Sequence, residues 1–508
     1  MLTSIIRSPM AGHGLALVAG MLFPLAFAPF DLWIIGIVSL MVLVFTLDID
    51  NGGWTVLRYY LFSIGMYGVG ASWIFVSINT YGGASGLLAG MLVALFVTLY
   101  SLTGLFAAGL HLLIDKRLRI AVFPAVWVLL EWFRSWFLTG FPWLFAGYGH
   151  LETPLAGFAP VTGVLGLSFI CVLTAVLLYS TGLRLLREDR NAGTLFGKLA
   201  GSRWAGVGIV IVIWCAGLLM ARIEWAIPFR ENVQVSVVQG NIGQHTKWSQ
   251  SMIHPILNTY LTLTNEEWGR EIIVWPEASI TLFRESAGSI LRALDKRGKE
   301  SGATLVLGIP DRDEADQFLN TAVSIGEGDG SYIKRRLVPF GEYVPMEDLL
   351  RGLITFFDLP MSHNQAGPWD QIPMLAGTLK LSLSICYEVV YAELVRKTVD
   401  RPDLFITISN DTWFGHSIGP EQHLQMAAMR ALENGRWMIR ATNNGITALI
   451  DHQGKVQARL SSFEPGVLRG SVSIMKGVTP YHQIGHWPVL VLSFLMIGIG
   501  TFWRKKSR

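Results

Sequence analysis

Few of the 508 residues are charged: Asp, Glu, Lys and Arg together make up 15%, against about 25% in a soluble globular protein. The deficit is uneven. Residues up to about 224 are mostly apolar runs, as is the tail from about 485, and the segment between them has ordinary soluble composition. That segment of roughly 260 residues is long enough for a core of its own. Cysteine is scarcer still. Cys171 and Cys215 lie inside apolar runs, where a thiol is usually a small buried hydrophobe, and Cys386 stands alone in the polar segment. There is no CxxC pair and no Cys/His cluster with zinc spacing, so neither a disulfide framework nor a metal or other cofactor is expected. Basic residues interleaved with aromatics are also missing. The net charge of +3 is a slight excess and not a stripe, which argues against nucleic acid as a partner.

What the chain does have is long hydrophobic runs. A membrane-spanning helix needs about 20 mainly apolar residues. About eight runs qualify, near 10–28, 31–48, 56–78, 84–113, 119–140, 159–183, 205–223 and 485–503. Arg7 precedes the first run, but no small-residue cleavage site follows, so this run reads as an anchor. The connections alternate in charge. Arg58 borders the second, Lys116, Arg117 and Arg119 fill the fourth, and Arg184, Arg187, Arg190, Lys198 and Arg203 crowd the sixth; the first, third and fifth carry no Lys or Arg. Short Lys/Arg-rich loops stay in the cytoplasm. Both termini are then expected inside, with the basic run Arg504–Arg508 as a cytoplasmic flank, and the large polar segment outside.

Two charges interrupt the fifth run, Glu131 and Arg134. Intramembrane charges are candidates for function, while their spacing also suits a simple i, i+3 pair. The following stretch, Gly140 to Pro160, is rich in Trp, Phe, Tyr and Gly. It reads either as an interfacial aromatic belt or as a lid that handles lipid.

From Asn232 the hydrophobic period changes. Val233–Val238 alternates as a strand does, and further strand patterns at 271–275, 303–308, 378–385 and 404–408 alternate with helical stretches. Such alternation implies an α/β layered fold, in which ligands bind at the carboxyl ends of strands. Glu277 and Cys386 both sit just past such an end. The organisation expected is a helical membrane part over 1–224, an α/β domain over 225–482, and a last helix with a basic tail over 483–508.

Trp275-Pro276-Glu277-Ala278, Lys334 to Glu342, and Ile385-Cys386-Tyr387-Glu388 resemble the Glu, Lys and Cys motifs of the nitrilase superfamily. With Val238-Gln239-Gly240-Asn241-Ile242, Lys247-Trp248, Gly140-Phe141-Pro142-Trp143 and the hydrophobic frame, the chain is similar to the apolipoprotein N-acyltransferase family along essentially its whole length. The resemblance implies an α-β-β-α sandwich outside the inner (cytoplasmic) membrane of a bacterium, joined to a polytopic helical bundle. It implies transfer of an acyl chain from a phospholipid to the N-terminal amine of a diacylglyceryl-cysteine in an apolipoprotein. Glu277, Lys334 and Cys386 match the family's triad, Glu342 its second glutamate, and Glu388 and Trp248 further positions.

The chemistry is consistent with those residue types. A free thiol is only a few per cent thiolate at neutral pH, so a carboxylate such as Glu277 is needed to take its proton. Lys334 and a backbone N–H, that of Tyr387, are the expected oxyanion donors. The order expected is ping-pong, and the protein is expected to act as a monomer. A membrane-tethered hydrolase of the nitrilase type would share the triad and differ only in using water as acceptor. Asn410, Asp411 and Trp413 follow a strand and read either as pocket lining or as an Asx-type turn.

Overall fold

The computed structural model describes residues 8–50, 52–186, 204–344, 364–399 and 401–506. Arg7, Arg187, Arg190, Lys198, Arg203, Ser507 and Arg508, used above for orientation, lie outside them. The chain divides into two compact units. One takes the described residues up to Ser72, Gly90–Glu224 and those from Pro480 on; the other takes Trp73–Ala89 and Trp225–Thr479.

The first unit is helical and apolar. Helical stretches over Pro9–Ala26, Gly86–Leu113, Pro154–Leu186 and Trp487–Lys506 are long and apolar enough to cross a membrane. Thr55–Gly70 and Trp73–Tyr81 add a fifth if the pair, bent by 52°, counts as one span. Among the described residues, four or five helices of spanning length therefore stand where the sequence has eight apolar runs. The physical reason is length. Trp33–Asp48, Arg119–Arg134 and Ala205–Met220 have 16 residues each, about 24 Å of helix against a hydrocarbon core of about 30 Å. Hydropathy windows run through breaks that the backbone does not. The run 119–140 stops being helical at Arg134, and Leu138 and Gly140 take positive φ. Close helix contact rests on small residues: a Cβ at Gly20 would stand 2.0 Å from the Phe62 carbonyl oxygen.

Glu131 and Arg134 are fully buried and serve as interior hubs. Glu131 accepts from Trp127 Nε1 and from the Ala146 N–H, both at 2.7 Å. Arg134 donates to the Tyr67 hydroxyl at 2.6 Å and lies over the Tyr67 and Phe145 rings. Trp143, Leu144, Phe145 and Tyr148 of the aromatic stretch are buried too, so they pack the interior and do not form an exposed belt.

The second unit is built on two sheets. The first sheet contains β1 (Ala226–Gln239), β2 (Ile272–Val274), β3 (Thr304–Arg312), β4 (Phe318–Gly326), β6 (Ser331–Ile333), β7 (Asn364–Gln365) and β14 (Gly466–Gly477). The second contains β5 (Gly328–Asp329), β8 (Met374–Ala376), β9 (Leu379–Ile385), β10 (Leu404–Ser409), β11 (Met438–Thr442), β12 (Ala448–Ile450) and β13 (Val456–Arg459). Their orders are β14-β1-β2-β3-β4-β6, with β7 also on β4, and β13-β12-β11-β10-β9-β8-β5.

Side-chain alternation explains the layering. Val233, Val235, Val237, Ile272 and Val274 of one sheet meet Leu381, Leu383, Ile385, Ile406 and Ile408 of the other in a shared core. The opposite face of the first sheet, with Val238, Ile273, Leu305 and Leu307, packs on helices Ile253–Thr264 and Gly288–Ser301. Helices Ala392–Lys397 and Gly419–Asn434 pack against the second sheet. The result is an α-β-β-α sandwich. β2 runs parallel to β1 and β3, and β9 and β11 run parallel to β10, so the ends of β2, β9 and β10 deliver the residues described next.

Trp73–Ala89 belongs with this unit. Trp73 meets Phe414 edge-on at 4.8 Å, Tyr81 stacks on His245 at 5.7 Å, and Ser77 Oγ donates to the Trp413 carbonyl at 2.7 Å.

Candidate active site

Glu277 leaves the end of β2 on a tight turn. Trp275 anchors that turn: it is fully buried, stacks on Tyr260 at 5.1 Å and donates from Nε1 to Thr264 Oγ1 at 2.9 Å. Ala278 then takes φ +47°, a left-handed conformation uncommon away from glycine. Gly308 on β3 makes room for the turn, because a Cβ there would stand 2.6 Å from Ala278 N and 2.7 Å from Glu277 Cα. Lys334 follows β6 and is held by main-chain bonds on both sides, from its N–H to Asn320 and to its carbonyl from Gly367. Cys386 follows β9 with φ +54° and opens a short 3-10 turn to Val390. Backbone held in this sparsely populated region is common where side chains must be aimed.

The chain thus brings Glu277, Lys334 and Glu342 into one hydrogen-bonded cluster. Lys334 Nζ lies 2.8 Å from Glu342 Oε1 and 3.3 Å from Glu277 Oε1, with the lysine side chain 1% exposed and both carboxylates 9%. Asn320 Nδ2 donates to the same two oxygens, at 3.0 and 2.7 Å. Glu277 Oε2 accepts from the Asn410 N–H at 2.8 Å, and Glu342 Oε2 accepts from the Val338 N–H at 2.8 Å. Every carboxylate oxygen is therefore engaged, which fixes both groups without excess mobility.

The pairing of Ile385 with Ile408 places Cys386 beside Ser409 at the strand ends. Burial, then the charge of Glu277, pushes the Cys386 thiol well above its ordinary pKa, and Lys334 works in the opposite direction. For Lys334 burial opposes the ammonium, but Glu277, Glu342 and Cys386 outweigh it and its pKa is raised. Burial thus favours the neutral thiol, while the neighbouring carboxylates favour the ammonium. Glu277 is the carboxylate whose charge acts most on the thiol.

Glu388 has a different kind of place. It is fully buried and accepts four hydrogen bonds: Arg335 N at 2.7 Å and Arg336 N at 3.1 Å on Oε1, Ile385 N at 2.8 Å and the Tyr332 hydroxyl at 2.9 Å on Oε2. It ties the segment after Lys334 to the turn that presents Cys386. Tyr387 is buried and meets Tyr391 edge-on at 5.2 Å. Trp248 caps the short helix Gln244–Lys247 and is 40% exposed.

Two family matches divide the chain. Residues 19–177 match the apolipoprotein N-acyltransferase N-terminal domain, and residues 234–476 match the carbon-nitrogen hydrolase family. Over 503 residues the chain is 43% identical to a protein of Pseudomonas syringae pv. tomato named apolipoprotein N-acyltransferase, covering 97% of each. This chain belongs to the apolipoprotein N-acyltransferase family. A relative of that name from Azotobacter vinelandii is also 43% identical, over 99% of this chain and 97% of the relative. Among solved structures, a variant of the Nesterenkonia AN1 amidase from the nitrilase superfamily is 19% identical with a TM-score of 0.34, covering 51% of this chain and 95% of that one.

Several polar partners in this N-acyltransferase family member carried no motif to mark them. Asn320 lies mid-strand with no such signal. Asn410 and Asp411 follow a strand end, and the structure gives both of them side-chain partners. Asn410 binds Glu277 and also Gln244 Oε1, at 2.8 Å. Asp411 accepts from Ser409 Oγ at 2.6 Å and from Arg440 at 2.5 Å, and lies 3.2 Å from His423 Nδ1. Burial would raise the Asp411 pKa, but Arg440 and His423 hold it well below the usual carboxylate range.

Proposed function

We propose that this chain transfers an acyl chain from a phospholipid to the N-terminal amine of a diacylglyceryl-cysteine in an apolipoprotein, through a thioester on Cys386. The observation that carries the reading is the buried Glu277–Lys334–Glu342 cluster beside the Cys386 turn, in a chain 43% identical over nearly its full length to proteins named for that activity. Glu277 takes the Sγ proton, and the thiolate attacks the ester carbonyl carbon. Lys334 and the Tyr387 N–H receive the oxyanion; one such donor is worth about 3 kcal/mol. The carbonyl re-forms, the C–O bond breaks, and the lysophospholipid leaves with the proton from Glu277.

In the second half the amine attacks the thioester and gives its proton to Glu277. The C–S bond then breaks and the proton returns to sulfur. Glu342 holds Lys334, Glu388 positions the two loops, and half-exposed Trp248 contacts an acyl chain. In the same reading the chain is a monomer spanning a bacterial inner membrane about eight times. Both termini are cytoplasmic and the 225–482 domain is periplasmic. A 16-residue span is accommodated by local thinning of the bilayer.

The test is intact-mass measurement of the purified protein after incubation with phosphatidylethanolamine, with Cys386→Ala alongside. The expected result is an acyl adduct on the unsubstituted protein alone, removed by neutral hydroxylamine and by a diacylglyceryl-cysteine peptide that becomes acylated. An adduct discharged only to water would establish a hydrolase instead. No adduct, with lipid and peptide unchanged, would overturn the enzyme reading.

A further inference from the structure

The catalytic cluster has a second lysine beside it. Lys247 ends the one-turn helix Gln244–Lys247 and is 1% exposed. Its Nζ donates to the main-chain oxygen of Glu277 at 3.1 Å, the one hydrogen bond that the described residues offer an ammonium with three N–H donors. The other end of the helix is tied to the same place. Gln244 Oε1 accepts from Asn410 Nδ2, and the Asn410 N–H donates to Glu277 Oε2, both at 2.8 Å. Glu277 is therefore held through its carbonyl by Lys247 and through its carboxylate by the residue that Gln244 holds.

Charge supplies the reason for a lysine here. Glu277 and Glu342 bring two negative charges and Lys334 returns one. Asp411 is matched separately by Arg440. Left so, the cluster would carry a surplus negative charge before any thiolate formed, and a second anion in a poorly solvated site is costly. Lys247 brings the cluster to neutrality. We propose that Lys247 is a positioning residue of this site, a second buried ammonium that offsets the Glu277–Glu342 pair and holds the Glu277 turn, so that the Cys386 thiol can ionise. Burial lowers the Lys247 pKa to about 8, against the opposing pull of Glu277 and Cys386. An apolar side chain of equal length would fit the position at less cost, so packing alone does not account for the ammonium.

The inference rests on Cys386 as the nucleophile, and its test uses neither lipid nor acceptor, so it can fail independently of the acyl-transfer reading. Full-length protein in detergent is alkylated with iodoacetamide across about pH 6 to 10, with the rate at Cys386 read by peptide mass spectrometry. Glu277, Lys334, Glu342 and Asp411, which face the pair from the surrounding elements, stay in every variant. Lys247→Met is expected to alkylate about tenfold more slowly at neutral pH, the difference closing as Lys247 itself loses its proton above about pH 8. Lys247→Arg is expected to retain the native rate at neutral pH. An unchanged profile in Lys247→Met would overturn the proposal, whatever happened to turnover. So would equal loss in Lys247→Arg, since shape and not charge would then matter. If Lys247→Met fails to fold, Lys247→Gln carries the same two expectations.

Discussion

Glu388 shows what one buried carboxylate can hold together. Four donors from two separate segments converge on it. Glu388→Gln keeps the shape but turns one oxygen into an NH2 group that faces two donors. Leaving buried donors unmet costs about 1–3 kcal/mol each. The opening free energy at the Arg335, Arg336 and Ile385 amides should therefore fall by about 3 kcal/mol, measured by hydrogen exchange. Unchanged protection there would show that the clamp is unimportant.

Asp411 gives a pH prediction. Its folded pKa is depressed, so it contributes stability above its unfolded value of about 3.9, and that contribution is lost as pH falls below it. Protection from hydrogen exchange at Thr407–Ser409 should fall as pH drops below about 4 in the native chain. Asp411→Asn should be destabilised at neutral pH and nearly flat over that range. On the proposed mechanism, acyl transfer by Cys386→Ala should fall by at least about 10⁴-fold, the scale of a lost nucleophile, while binding of phospholipid persists.

At the scale of elements, the site exists because strand ends and turns are fitted closely. Gly308 on β3 is the tightest point, with Glu277 Cα and Ala278 N where its Cβ would be. Gly308→Ala should displace the Glu277 turn and lower kcat by about 10²-fold, the usual effect of misplacing a reacting group by about 1 Å. Its melting curve should change far less. Normal kcat in this variant would mean that the turn relaxes freely.

The strands themselves were legible, since alternation in Val233–Val238 and apolar runs before Glu277 and Cys386 are local properties of the chain. The short helix Gln244–Lys247 was not. One turn has no periodicity to detect, and its residues matter only through partners 30 or more positions away, Glu277 and Asn410.

At the scale of the molecule, the proposed orientation puts short basic loops on one side of the membrane and the 225–482 domain on the other. Single cysteines introduced at Lys116 and at exposed Arg312, in a chain lacking Cys171, Cys215 and Cys386, should react from opposite sides with a membrane-impermeant maleimide. Labelling of both from one side would sink that topology.

Hydropathy and loop charge are additive along the chain, so the sequence by itself determined where the apolar parts and the polar segment lie. Its ordered motifs likewise determined the candidate residues Glu277, Lys334, Glu342 and Cys386. The number of helices long enough to span was decided only in three dimensions, because caps and positive-φ breaks such as Leu138 and Gly140 cut helices inside apolar windows. The tertiary structure also decided the partners of Glu388, Asn320, Asn410 and Lys247. Each acts through hydrogen bonds to groups distant in sequence, and such pairing energies depend on distance and burial, which no run of residue types encodes.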